Sequence, residues 1–145
     1  MILSSHIIIG GALGTRSKNI FWAFIFGFFS HYILDFIPHW EYVCELENIF
    51  IPINVLKIFI DLMIGLLIVL LIIRFSKNKL FILVGAGASI LPDILQVVIF
   101  YLRLDCLEYL SIFHNIVHAN MDLSLLPGLL VMFLIFIAGI LIIKL

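Results

Sequence analysis

Histidine and aspartate set inside apolar sequence are the groups in this chain with the types and spacing for chemistry. The stretch from Ser30 to Trp40 closes an apolar run that begins at Ile20, and within it His31, Asp35 and His39 recur at four-residue steps. On a helix such positions stack along one face, so two imidazoles and a carboxylate could reach a common ion. Membrane spanning does not ask for them, because an ionisable group at the bilayer centre costs roughly 2.5–3.5 kcal/mol on insertion scales. The plainer alternative is a His–Asp hydrogen bond that ties helices together. Further along, Ser111, His114 and His118 share a helical face, and Asp122 either continues the step or caps the last apolar segment. His6, Asp61 and Asp93 each interrupt an apolar run of their own.

The elements that must position these residues follow from composition and patterning. The chain has 145 residues, 65% of them hydrophobic and 12% charged, with a mean hydropathy of +1.32, which is too apolar for a soluble domain of this size. A net charge of −1 with scattered basic residues argues against a nucleic-acid partner. The two cysteines, Cys44 and Cys106, match no zinc or redox spacing, although a disulfide is open to them in an oxidising compartment. Residues 2–14 predict a short helix that enters the membrane and packs inside the bundle, since His6 has little other means of being satisfied there, and its basic turn Thr15–Lys18 follows the apolar run, the reverse of a signal peptide. Spans follow at about 20–37, 52–73, 80–102 and 123–143. Trp22, Trp40 and Tyr42 are interfacial anchors, Pro38 ends or bends its helix, and Glu41, Glu45 and Glu47 lie in a solvated loop. Gly10 and Gly14, and the run Gly85–Ser89, permit close helix approach, while Pro92 frees the Ala88 carbonyl for another partner. Asp105–Glu108 reads as a helix N-cap followed by an interfacial helix near 106–118. The expected fold is a single all-α domain, a polytopic integral membrane helical bundle of about four membrane segments with the first one short.

Charge placement sets an orientation. Arg16, Lys18, Arg74, Lys77, Lys79 and Lys144 fall on one side and Lys57 and Arg103 on the other, so the first side is expected to be cytoplasmic, in a cell (inner or plasma) membrane. With a helical rise of ~1.5 Å per residue, His6 lies roughly 15 Å from Arg16, His31 roughly 20 Å from Lys18, Asp61 roughly 20 Å from Arg74 and Asp93 roughly 21 Å from Lys79. Four segments thus bring ionisable groups to nearly one depth. Asp35 sits one turn higher, and His39, His114 and His118 approach from the outer connections. Those five histidines and three aspartates exceed one tetrahedral site, so two divalent transition-metal ions are expected, with zinc favoured and manganese or iron also suited to N/O ligands. Metal-assisted hydrolysis is the corresponding reaction class, with Asp61 or Asp93 as ligand or general base. A centre in the outer half of the bilayer suits a membrane lipid or another membrane-associated ester. The rivals are a non-enzymatic metal carrier or channel, which needs polar residues along its whole path, and a purely structural membrane module.

Taken together, Ser5-His6 with its glycine pair, Ser30-His31-xxx-Asp35-xx-Pro38-His39-Trp40, Asp61 with Gly65, Leu91-Pro92-Asp93 and the His114/His118 pair resemble a group of small prokaryotic membrane proteins related to the YdjM-like, inner-membrane-bound metal-dependent hydrolases. The resemblance runs from His6 to His118 and implies His6, His31, Asp35, Asp93, His114 and His118 as metal ligands, with Asp61 and His39 matching less well. More remotely, the spacings are similar to zinc-dependent phospholipase C, which implies phosphodiester cleavage. The chain departs from the YdjM-like pattern in having Asn115 after His114 where a His-Arg pair is usual, and in the order of its motifs. Without that arginine a phosphate clamp is less well supplied.

Overall fold

The computed structural model describes residues 3–40, 46–118 and 123–144, and every regular element among them is helical. The helices are α1 (Leu3–Arg16), α2 (Ile20–Asp35), α3 (Pro52–Phe75), α4 (Lys79–Leu102), α5 (Glu108–His118) and α6 (Leu125–Lys144), with single 3-10 turns at Leu46–Asn48 and Asp105–Leu107. In hydrocarbon a helix satisfies its own backbone, and α3, α4 and α6 are long and apolar enough to cross a membrane. Tyr42, Cys44, Glu41, Glu45 and Asp122 lie outside the described residues, so the Cys44–Cys106 pairing and the part expected of Asp122 do too.

Local chemistry sets the ends. Asn19 opens α2 by accepting the Trp22 N–H at 3.0 Å on its Oδ1. The same helix stops at Asp35, two residues short of the expected Ile37, because Pro38 has no N–H to continue the ladder and disfavours helical geometry at Ile37. His39 therefore does not continue the helical stack of His31 and Asp35. It sits on an extended segment whose carbonyl accepts the Leu123 N–H at 2.8 Å. Asp105 likewise opens a 3-10 turn without a side-chain cap, and α5 begins only at Glu108.

The short first helix is the centre of the bundle. α1 touches α2, α3, α4 and α6, and it is buried from Ser4 to Ala12 and again at Gly14. Its close approach to α4 depends on glycine: a Cβ on Gly10 would meet the Gly85 carbonyl, and one on Gly14 would meet the Phe81 carbonyl. α2 reaches the same point of α4 through Gly27. Trp40, expected as an interfacial anchor, packs its Cβ onto Gly128 of α6.

Burial runs opposite to that of a water-soluble domain. His6, His31 and Asp35 are fully enclosed at 0% exposure, while Leu67 at 60%, Leu130 at 62% and Phe133 at 60% face outward. An apolar exterior around a polar interior is the pattern a bilayer requires. Arg16 donates from Nε to the Ile142 carbonyl at 2.8 Å, closing the end of α6. That bond, with the contact of Gly14 on Phe81, gathers the end of α1, the start of α4 and the end of α6 at one basic pole. A cluster of Ile7, Val69, Ile72, Ile82 and Ala86 fills the bundle just above it.

Candidate metal centre

Four helices and one loop deliver the ionisable residues to the pole opposite the basic one. His6 comes from the first half of α1, His31 and Asp35 from the last turns of α2, Asp93 from α4 just after Pro92, His114 and His118 from α5, and His39 from the segment beyond Pro38. The i,i+4 steps His31/Asp35 and His114/His118 place each pair on one helical face, and the His114 and His118 rings stack with centroids 5.2 Å apart.

Asp35 is the hub. Its Oδ2 lies 2.9 Å from Nε2 of His31 and 3.8 Å from Nε2 of His114, and its Oδ1 lies 3.3 Å from Nε2 of His6 and 3.4 Å from Nε2 of His118. Asp93 Oδ1 is 3.6 Å from Nε2 of both His31 and His114. These separations resemble the spacing between ligands of one ion, since metal–nitrogen bonds of about 2.1 Å at tetrahedral angles put neighbouring ligand atoms about 3.4 Å apart. Distance alone would also fit hydrogen bonding, but alignment does not. Both Asp35 oxygens, His31 Nε2 and both ring nitrogens of His6 are buried and make no well-aligned hydrogen bond among the described residues. A carboxylate held dry without hydrogen bonds is costly unless a cation neutralises it. Three overlapping groups could each hold an ion: His6, His31 and Asp93; His31, Asp35 and His114; Asp35, His39 and His118.

Backbone carbonyls aim two of the imidazoles. His31 Nδ1 is 2.8 Å from the Ser89 carbonyl and His39 Nδ1 is 2.6 Å from the Ile37 carbonyl. A proton held on Nδ1 by such an acceptor leaves Nε2 as the ligand atom, the usual outer-shell device of metal-binding histidines. Pro92 removes a backbone donor from that turn of α4, but the carbonyl that His31 uses belongs to Ser89, one residue beyond the expected Ala88. Burial also pushes the His114 imidazole down to about 4, so it is a neutral base at ordinary pH.

Asp61 is placed differently from the other candidates. It is buried, its Oδ2 accepts the Ser4 N–H at 3.2 Å, and it belongs to none of the three groups. A carboxylate at the first turn of α1 satisfies an end donor and suits the helix dipole, which fixes the height of His6 two residues on. Sequence reasoning passed over the Gln96–Asn115 bond of 2.6 Å, which ties α5 to α4 beside His114. The departure from the expected His-Arg pair was the signal, since Asn115 is a polar residue set between apolar ones.

No family model, curated protein or solved structure matches the chain.

Proposed function

We propose that this chain is a membrane-embedded, metal-dependent hydrolase that cleaves an ester or phosphoester of a membrane lipid, with its centre open to the extracytoplasmic side. The observation that carries this reading is the convergence of four imidazole nitrogens, at 2.9–3.8 Å, on one buried carboxylate that makes no well-aligned hydrogen bond among the described residues. The donors divide about Asp35 into two sets. Oδ2 faces His31 and His114 with Asp93 beside them, and Oδ1 faces His6 and His118; His39 groups with Asp35 and His118, while His6 also groups with His31 and Asp93. Two ions fit this donor set, zinc foremost, because it is mixed nitrogen and oxygen without thiolate. Bound divalent ions supply an acidified water near neutral pH and positive charge for a developing oxyanion.

The chain's own residues do the remainder. Asp93 has 25% of its side chain exposed against 0% for Asp35, so it is the carboxylate that water and substrate can reach, and it serves as proton acceptor or outer ligand. Asp61 is a positioning residue through Ser4 and His6. The basic pole is the cytoplasmic one under the charge rule, which turns the centre outward.

A metal carrier is disfavoured by the lower half of the bundle. Ile7, Val69, Ile72, Ile82 and Ala86 fill it; beside the centre the hydroxyls of Ser30 and Ser89 donate to carbonyls of their own helices, and at the basic pole that of Ser17, just past α1, donates to the Leu13 carbonyl. A conducting path would need them turned to the lumen. The resemblance to YdjM-like hydrolases is in keeping with the same reaction class. Elemental analysis of protein purified without added metal, followed by chelator-sensitive product release from a panel of lipids, tests the reading; metal-free folded protein would overturn it.

A further inference from the structure

The three triads found among the described residues are not equivalent. His6, His31 and Asp93 share no residue with Asp35, His39 and His118, whereas the triad of His31, Asp35 and His114 overlaps both. Two ions held by separate side chains therefore occupy the first two. Those two stand on different foundations. The first is delivered by α1, α2 and α4, which are locked together where a Cβ on Gly10 or on Gly27 would meet the Gly85 carbonyl. The second is incomplete without α5, which supplies His118. Asp35 links them, with Oδ2 2.9 Å from His31 Nε2 and Oδ1 3.4 Å from His118 Nε2.

α5 is seated lightly on the bundle. It rests on α2 and α4, and His114 is its one buried residue. Ser111 and His118 are half-buried on the same face, while Tyr109, Ile112, Phe113 and Ile116 are exposed. The helix thus turns its polar face to the centre and its apolar face to lipid, the two-sided pattern of a helix lying in the bilayer interface. Lifting it leaves the apolar face in lipid and hydrates the polar one. The chain also enters α5 through a bend suited to such a movement: Arg103 ends α4 in the left-handed region at φ 51°, where glycine is usual, and a 3-10 turn follows. Seated without ions, α5 keeps His114 Nδ1 buried and without a hydrogen-bond partner among the described residues, a cost that coordination at the seated face offsets.

We infer that α5 is a ligand-bearing lid which the second ion closes. The first ion is held by His6, His31 and Asp93 in the packed bundle. The second is held by Asp35 and His39 and completed by His118, which draws α5 down about the Arg103 bend, so the two-ion centre is assembled and covered in one step. The inference rests on the hydrolase reading and adds to it the regulation of that centre: a chain with one ion is open and incomplete, and occupancy of the second site sets the fraction of competent chains.

The test uses the full chain in nanodiscs of phosphatidylglycerol and phosphatidylcholine, with Cys44→Ser and Cys106→Ser and spin labels on Ile116→Cys of α5 and Leu67→Cys of α3. Pulsed electron paramagnetic resonance reads the distance between the labels as zinc is titrated against a chelator. With two zinc ions bound one narrow distance is expected; with one or none, a broad distribution whose mean moves by about 10 Å, the diameter of a helix. His118→Ala should hold one zinc per chain and stay broad. His39→Ala, which depletes the same triad without touching α5, should do the same. Labels on Leu67→Cys and Leu130→Cys, between α3 and α6, keep one distance throughout and show that each variant is folded. The same narrow α5 distance in chelator as with two zinc ions bound overturns the inference and leaves the hydrolase reading standing, and so does a His118→Ala chain that closes on zinc. Zinc-driven closure in a chain that releases no product from any lipid overturns the hydrolase reading instead and leaves a metal-operated lid. A folded chain that takes up no zinc overturns both.

Discussion

Replacing Asp35 by asparagine separates a metal hub from a helix tie, because the two roles give opposite signs in the metal-free protein. Asp35 is fully buried and neither of its oxygens has a well-aligned hydrogen bond among the described residues. If its purpose is to bridge cations, the carboxylate is a liability in their absence: its effective desolvation penalty is several kcal/mol, and the amide removes that charge at nearly constant volume. Metal-free Asp35→Asn is then at least as stable as metal-free wild type. If Asp35 only ties His31 and His6 together, the amide loses charged hydrogen bonds and the variant falls by about 1.5–3 kcal/mol. Metal reverses the comparison. At free zinc one hundred times the dissociation constant, each site stabilises the wild type by about 2.7 kcal/mol, so two sites give about 5. On the scale of about 2–4 °C per kcal/mol, that is a rise of roughly 10–20 °C in the unfolding midpoint. Asp35→Asn, lacking the anionic bridge, is expected to show only a few degrees. The assay is thermal unfolding in detergent with chelator or buffered zinc, beside zinc per chain by elemental analysis. Unchanged zinc in the folded variant, or a metal-free variant less stable than wild type by the hydrogen-bond amount, would refute the reasoning.

Other expectations follow from single contacts. His31→Ala removes a ligand shared by two of the three candidate groups, and zinc per chain should drop, whereas a purely structural histidine would leave it unchanged. His6→Ala should weaken zinc binding without displacing the later helices, which protease protection of α3 and α6 in vesicles can check. Pro92→Ala restores a backbone donor to the Ala88 carbonyl, one residue short of the Ser89 carbonyl that holds His31, so affinity for zinc is expected to be unchanged; a fall of about 10–100-fold, the size of losing an outer-shell partner, would show that the proline-freed carbonyl aims the imidazole instead. Gly85→Val drives a side chain into the Gly10 carbonyl and should cost about 1–3 kcal/mol or more by overpacking. Gly87→Ala, which meets nothing within 4 Å, should be neutral or gain up to about 1 kcal/mol of helix propensity. Equal midpoints for those two variants would contradict the tight α1–α4 crossing.

Helix and membrane were legible in the sequence because both depend on near neighbours. An apolar run has to bond its own backbone in hydrocarbon, so α3, α4 and α6 could be read as spans, and a shared depth for His6, His31 and Asp93 followed from counting residues along straight helices. The i,i+4 pairing of His31 with Asp35 was likewise local, and the two side chains do meet at 2.9 Å. What the sequence alone left undetermined depends on relations between helices. That residues 2–14 pack inside the bundle could be read from His6, which an apolar segment leaves little other means of satisfying, but not which helices enclose them; that position comes from glycines on three helices meeting at Gly85. Asp61 and Asp93 stand at similar counted depths, yet Asp93 faces His31 and His114 while Asp61 turns to the first turn of α1, because a depth coordinate carries no rotation about the helix axis. His39 has the right four-residue step, but Pro38 breaks the helix on which that step was counted, and its place beside Asp35 and His118 comes from the pairing of its carbonyl with Leu123. Spacing along one chain fixes which side chains can share a face; only the packing of one helix against the next decides which faces meet.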